Sequence, residues 1–278
     1  MPSYSCPVPI QTTPRSWRRF AALGDSFTEG LNDVVGPDGR HRGWADLVAA
    51  RLAERAEGAG DGFEYANLAI RGRLAAQVAA EQVPAAVALQ PDLVSLAVGV
   101  NDALRRNFDL DRTATALENA VRDLRGCGSD VLLFAFGNPS RRSRVMGLIR
   151  ERIRGLNSAV DAIADHYDCH VVHFWDMAVM DDDRLWDADR LHLSPDGHLL
   201  AAECALEALG VAGDDWRTPL VPLQRPSVRA RRVSDAAWVQ AHMAPWLLRR
   251  ARGASSGDGI EPKHAQWVPI CGPGGPQA

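Results

Sequence analysis

The stretch Asp130-Val131-Leu132-Leu133-Phe134-Ala135-Phe136 (DVLLFAF) decides the fold class. Six of its seven residues are apolar and none of those six alternates with a polar residue, so it reads as a strand buried on both faces. Outward in both directions, strand-like segments recur. They are Arg19–Gly24 (RFAALG), Phe63–Ala69 (FEYANLA), Asp92–Val98 (DLVSLAV) and Cys169–Phe174 (CHVVHF). Segments of helical spacing fill the intervals: Gly43–Ala59, Leu74–Leu89 stopped by Pro91, Arg112–Arg125 ending at Gly126, Val145–Tyr167, and Pro195–Leu209 with proline in its first turn. Five strands alternating with helices predict an α/β fold, a five-stranded parallel sheet between two helical layers. In such sheets ligands bind beyond the carboxyl ends of the strands.

Length and composition agree. The chain has 278 residues; 46% are hydrophobic and 24% charged, which excludes disorder as the main theme. The net charge of -4 carries no nucleic-acid signature. No apolar run is long enough for an integral membrane segment, and the first twenty residues lack a secretory leader pattern, so a cytoplasmic location is expected. Five scattered cysteines without a CxxC pair fit a reducing compartment and read as small buried hydrophobes, apart from the two near the termini. Residues 1–18, with four prolines, read as an N-terminal arm, 19–213 as the main domain, and 214–278 as a C-terminal extension. Within that extension Ser234–Arg252 is expected to form a helix bent at Pro245, followed by a mobile, glycine- and proline-rich tail. The extension holds nine basic and five acidic residues, a balance of +4 against -8 for the rest, so docking on its own domain is the economical expectation.

The segments after the strands hold the chemistry. Ser26 follows the first strand in Gly24-Asp25-Ser26-Phe27-Thr28-Glu29-Gly30. A serine there is a nucleophile if a base takes its proton, or simply a helix cap. Gly72 follows the second strand; a glycine lets backbone N–H approach a ligand, or merely turns the chain. Asn101 follows the third in Gly99-Val100-Asn101-Asp102, where its amide can donate to an oxyanion or stabilise a turn. Late in the domain, Asp189 and His192 stand three residues apart in a loop before Pro195. That pair reads as a general base with its orienting carboxylate, as metal ligands with His198, or as surface loop. Unrelated turns would rarely fill all four roles in this order. Among the neighbours, Asp25 and Asp102 read as turn support, His198 as structural, Trp44 as packing before site wall, and Asn138-Pro139 as either pocket or plain loop.

The set Gly-Asp-Ser (24–26) with Gly30, Gly72, Gly-x-Asn-Asp (99–102) and Asp-x-x-His (189–192) resembles the SGNH hydrolases, the GDSL-type esterases and lipases, over roughly residues 19–210. The resemblance implies a flavodoxin-like three-layer αβα sandwich. It implies a catalytic triad of Ser26, His192 and Asp189, and an oxyanion hole from the Ser26 and Gly72 N–H groups with the Asn101 amide. It implies ester hydrolysis through an acyl-enzyme, without metal or organic cofactor, on a small-molecule ester. Short acyl substrates are favoured, such as acetyl esters or small lipids, given 6% aromatics and no greasy lid segment. Acyl transfer at the same site, or a non-catalytic glycan- or lipid-binding module, are the alternatives.

Overall fold

The computed structural model describes residues 16–141, 146–211 and 255–270. Its core is a sheet of six strands: β1 (Arg19–Gly24), β2 (Glu64–Asn67), β3 (Leu93–Ala97), β4 (Asp130–Ala135), β5 (His170–His173) and β6 (His264–Pro269). The order is β5-β4-β3-β1-β2-β6. The first five pair in parallel, as expected, and β6 pairs antiparallel with β2. The expectation of a five-stranded sheet is thus corrected to six. The added strand comes from a segment whose polar, proline-flanked sequence reads as irregular, because an edge strand needs an apolar face on one side at most. The expected 234–252 helix and most of the N-terminal arm lie outside the described residues.

DVLLFAF behaves as its composition dictates. Leu132 and Phe134 enter one hydrophobic cluster, with the helices α2 (Trp44–Gly58) and α8 (Pro195–Ala208), numbered in chain order after the single-turn α1 (Ser26–Glu29). Val131 and Leu133 enter the other, with α6 (Leu110–Gly126) and α7 (Arg150–Tyr167), which follow the short α3 (Ala75–Gln77), α4 (Val83–Leu89) and α5 (Val100–Ala103). Side chains alternate faces along a strand, so a continuous apolar run feeds two cores at once. Trp44 is fully buried, its ring 4.7 Å from that of Phe134 and 5.5 Å from that of Phe27, so it packs. Of the described cysteines, Cys204 is buried and Cys169 half-buried, but Cys127 is exposed, against the expectation of burial.

The segment read as one helix from Leu74 to Leu89 divides into α3, a π-helical turn (Val78–Gln82) and α4. Pro84, in the first turn of α4, has no N–H to continue the α ladder. The wider turn carries the buried Gln82, whose Oε1 accepts from the Gly24 N–H (2.8 Å) and whose Nε2 donates to the Gly24 carbonyl (2.9 Å). Gly24 cannot be replaced there, since a Cβ would fall 2.3 Å from the Ala97 carbonyl oxygen. The last residue of β1 is thereby pinned just before Asp25 and Ser26.

Candidate active site

Strand order reverses between β1 and β3, and the loops after these strands splay apart into a crevice there. Ser26 leaves the end of β1 at the first position of α1, and Asn101 lies in α5 just beyond β3. Asp25 caps α1 by accepting from the Phe27 N–H (3.1 Å). The first N–H groups of a helix have no intrahelical acceptor. Accordingly the Ser26 N–H has no hydrogen-bond acceptor among the described residues.

His192 arrives from the other end of the chain. Ser194 caps α8 through the Gly197 N–H (3.2 Å) and Pro195 begins it, so the preceding loop ends sharply. That loop is closed on itself. The Asp187 N–H donates to the His192 carbonyl (2.9 Å), and Arg190 takes a left-handed φ of 54°. His192 Nε2 lies 3.0 Å from Ser26 Oγ, and its Nδ1 lies 2.6 Å from Asp189 Oδ2. Asp189 Oδ1 accepts the N–H groups of Leu191 (3.0 Å) and His192 (2.9 Å). Burial alone would raise the Asp189 pKa, but these bonds and the imidazole outweigh it and hold the carboxyl below the usual range. An ionised carboxylate only accepts, so Nδ1 carries the proton and Nε2 presents a lone pair to the Ser26 hydroxyl.

Asn101 shares the crevice with Ser26, and both of its amide hydrogens are engaged. Nδ2 donates to Asp25 Oδ2 (2.9 Å) and to the Arg73 carbonyl (3.2 Å). Asp25 is buried, which pushes its pKa up to about 6 against the lowering by the Phe27 N–H, His192 and Asn101. Gly72 follows β2 with a φ of 78°, and its N–H has no acceptor among the described residues. It is not one of the residues walling the cavity described below; it sits one residue before the Arg73 carbonyl that Asn101 holds. Ser26, His192 and Asp189 therefore meet in one relay, Asn101 stands beside it, and Gly72 adjoins through Arg73.

The crevice opens into a cavity of about 90 Å³, walled by Phe27, Phe136, Met146, Ile153, Phe174 and Trp186 around Ser26 and His192. Pro139 lines it and Asn138 does not; Asn138 caps Ser140 instead (Oδ1 to N, 3.1 Å). His198 also lines it, fully buried. Its Nδ1 accepts the Trp44 N–H (3.2 Å) and its Nε2 donates to the Leu31 carbonyl (3.1 Å), so both nitrogens are spent on the scaffold. Asp102 accepts the Ala75 N–H (3.0 Å), in its expected supporting place. Asn32 has no place in the sequence reading: Nδ2 donates to Asp187 Oδ2 (2.8 Å) and reaches 3.4 Å from Asp189 Oδ2. Glu29 is likewise new there. It accepts the Arg71 N–H (2.7 Å) and pairs with the Arg71 guanidinium, bracing the loop that carries Gly72. Glu29 lies within the first motif, just before Gly30, and Asn32 lies two residues past its end, but nothing local says which distant loop each would meet.

A mostly parallel αβα sandwich with this relay at its carboxyl edge defines the class of SGNH-type ester hydrolases. The chain belongs to the GDSL-like lipase/acylhydrolase family, whose model matches residues 22–200. No curated protein matches it. Among solved structures it resembles Axe2, an acetylxylan esterase from Geobacillus stearothermophilus (19% identity, 72% of this chain and 98% of that one, TM-score 0.59). It also resembles LAE5, an alpha/beta hydrolase enzyme from the metagenome of Lake Arreo in Spain (20%, 71% and 97%, TM-score 0.58), and TesA (23%, 69% and 98%, TM-score 0.56). At these identities the likeness establishes the fold. Among the described residues no helix is long and apolar enough to cross a membrane.

Proposed function

We propose that the protein hydrolyses short-chain carboxylic esters through an acyl-enzyme on Ser26. The observation that carries this reading is the Ser26–His192–Asp189 relay, at 3.0 and 2.6 Å, facing a small apolar cavity. His192 Nε2 takes the Ser26 proton as Oγ bonds to the substrate carbonyl carbon, and ionised Asp189 stabilises the imidazolium. The negative oxygen is met by the Ser26 and Gly72 N–H groups. Asn101 joins them by releasing its longer bond, the one to the Arg73 carbonyl, while Asp25 keeps hold of the other amide hydrogen. Collapse breaks the bond to the leaving alcohol, which receives the proton from His192. Water, deprotonated by the same imidazole, then releases the acid and restores Ser26.

Ser26→Ala is expected to lower hydrolysis of p-nitrophenyl acetate by at least about 10⁴-fold, since loss of a triad nucleophile leaves only binding and oxyanion effects. Thermal unfolding should shift little, because the hydroxyl is not part of the core. A fluorophosphonate should label the wild type on Ser26 and not the variant. Undiminished turnover in purified Ser26→Ala refutes the assignment.

A further inference from the structure

We propose that residues 255–270 form a strap that positions the Gly72 N–H for the oxyanion, and are therefore a working part of the site as well as of the sheet edge. This rests on the reading of Gly72 as a donor. Residues 70–73 are a short loop with a left-handed glycine and need outside support. Glu29 grips Arg71 from one side and Asn101 holds the Arg73 carbonyl from another. The strap lies against the remaining face. A Cβ on Gly257 would fall 2.1 Å from the Arg71 carbonyl oxygen and 2.9 Å from Ile70 Cγ2. A Cβ on Gly72 would fall 2.6 and 2.8 Å from the hydroxyl oxygens of Ser255 and Ser256. The loop therefore has no room to move toward the strap.

The strap is itself held at both ends. Its turn is closed by the Ser255 N–H on Asp258 Oδ2 (2.7 Å), the Gly257 N–H on Ser255 Oγ (3.3 Å) and the Ile260 N–H on the Gly257 carbonyl (3.2 Å). Beyond it Lys263, the chain's one lysine and almost fully buried, donates to Asp46 Oδ2 (2.7 Å) and to the Arg42 carbonyl (2.5 Å). β6 then pairs with β2, the strand that leads into the Gly72 loop, and Trp267 Nε1 donates to the Leu89 carbonyl (3.2 Å). Displacing the turn removes one wall from a donor whose orientation matters only when the oxyanion forms.

The test uses the full chain with Gly257→Ala and, separately, Lys263→Met. Gly257 lies outside the left-handed region, so alanine there adds bulk against Arg71 without backbone strain. Loss of a whole donor costs about 10²–10³ in kcat, so a displaced one should cost about 10–100-fold in kcat with KM for p-nitrophenyl acetate within roughly twofold. A boronic acid, whose serine adduct is tetrahedral, should lose affinity in parallel, which a purely structural strap would not cause. Wild-type kcat and boronate affinity in the folded variants overturn the proposal, whatever happens to Tm. Failure of both variants to fold also overturns it, placing the strap among the core supports alone. Absence of a fluorophosphonate adduct on Ser26 in the wild type would instead sink the underlying ester-hydrolase reading, and the strap proposal with it.

Discussion

His198 is an imidazole bonded at both nitrogens to the scaffold, six residues beyond the one proposed as the base. Burial pushes its pKa down to about 4, against the Leu31 carbonyl and Asp33, which favour the charged form. The unfolded chain binds a proton near the ordinary histidine value of about 6.5, so between those values the unfolded state holds more protons than the native one. Stability is thus full above about pH 6.5 and falls as pH drops toward 4, by up to about 3 kcal/mol for this group. Asp25 and Asp46 act in the opposite sense. Burial raises each to about 6, so their ionised forms cost stability at neutral pH and protonation relieves it. The wild-type profile mixes these effects, but a difference isolates one of them. Compared with wild type, His198→Gln should lose less stability between pH 6.5 and 4.5 in urea unfolding. Parallel profiles would show that the imidazole is not buried neutral. Ser26 and His192, which the structure brings within 3.0 Å of each other, stood out in the sequence as candidates because their types and their places after strands are unusual together. Asn32 and Glu29 were not, because a single polar residue in a turn does not announce its distant partner.

At the scale of elements, continuous apolar runs and glycine or proline stops located every parallel strand and every long helix to within a few residues. Phe134, fully buried at the centre of DVLLFAF, touches Trp44, Phe27 and Phe174. Phe134→Ala should destabilise the protein by about 3–5 kcal/mol, measured by denaturant unfolding. The π turn is a different case. Nothing in Val78–Gln82 contradicts an ordinary helix; the widening follows from Pro84 and from the pull of Gln82 toward Gly24. Gln82→Leu would leave the buried Gly24 N–H without its Gln82 partner, while the Gly24 carbonyl keeps the Ile70 N–H (3.3 Å), and should cost about 1–3 kcal/mol for the one stranded group. It should also reduce turnover, since Gly24 sets the position of Ser26. A variant with wild-type stability would show that water or a backbone shift replaces the bond to the Gly24 N–H. β6 escaped the sequence reading for a related reason: an edge strand with one covered face has no strong pattern of its own, and its pairing is dictated by the exposed side of β2.

For the whole molecule, the cavity sets the expected substrate range. At about 90 Å³ it is smaller than the roughly 150 Å³ engineered cavity that accepts benzene. Its walls are apolar, so it suits a few methylenes and excludes a long chain. Across p-nitrophenyl esters, kcat/KM for acetate through butyrate should exceed that for octanoate by at least about tenfold, since single methylenes in such pockets are worth about 1–3 kcal/mol. Met146→Ala, opening the wall, should move the preference toward longer chains. Equal use of all lengths would place the acyl group elsewhere. Taken alone, the sequence determined the α/β class, the five parallel strands and the family, and it nominated candidates for the site, because each is written in local periodicity or in a motif a few residues long. Only the tertiary structure decided which atoms meet. Ser26 and His192 are 166 positions apart, Lys263 and Asp46 are 217 apart, and the Asn101 amide is already committed to Asp25 and Arg73. Such contacts are products of strand order and packing, and short-range sequence pattern carries no record of them.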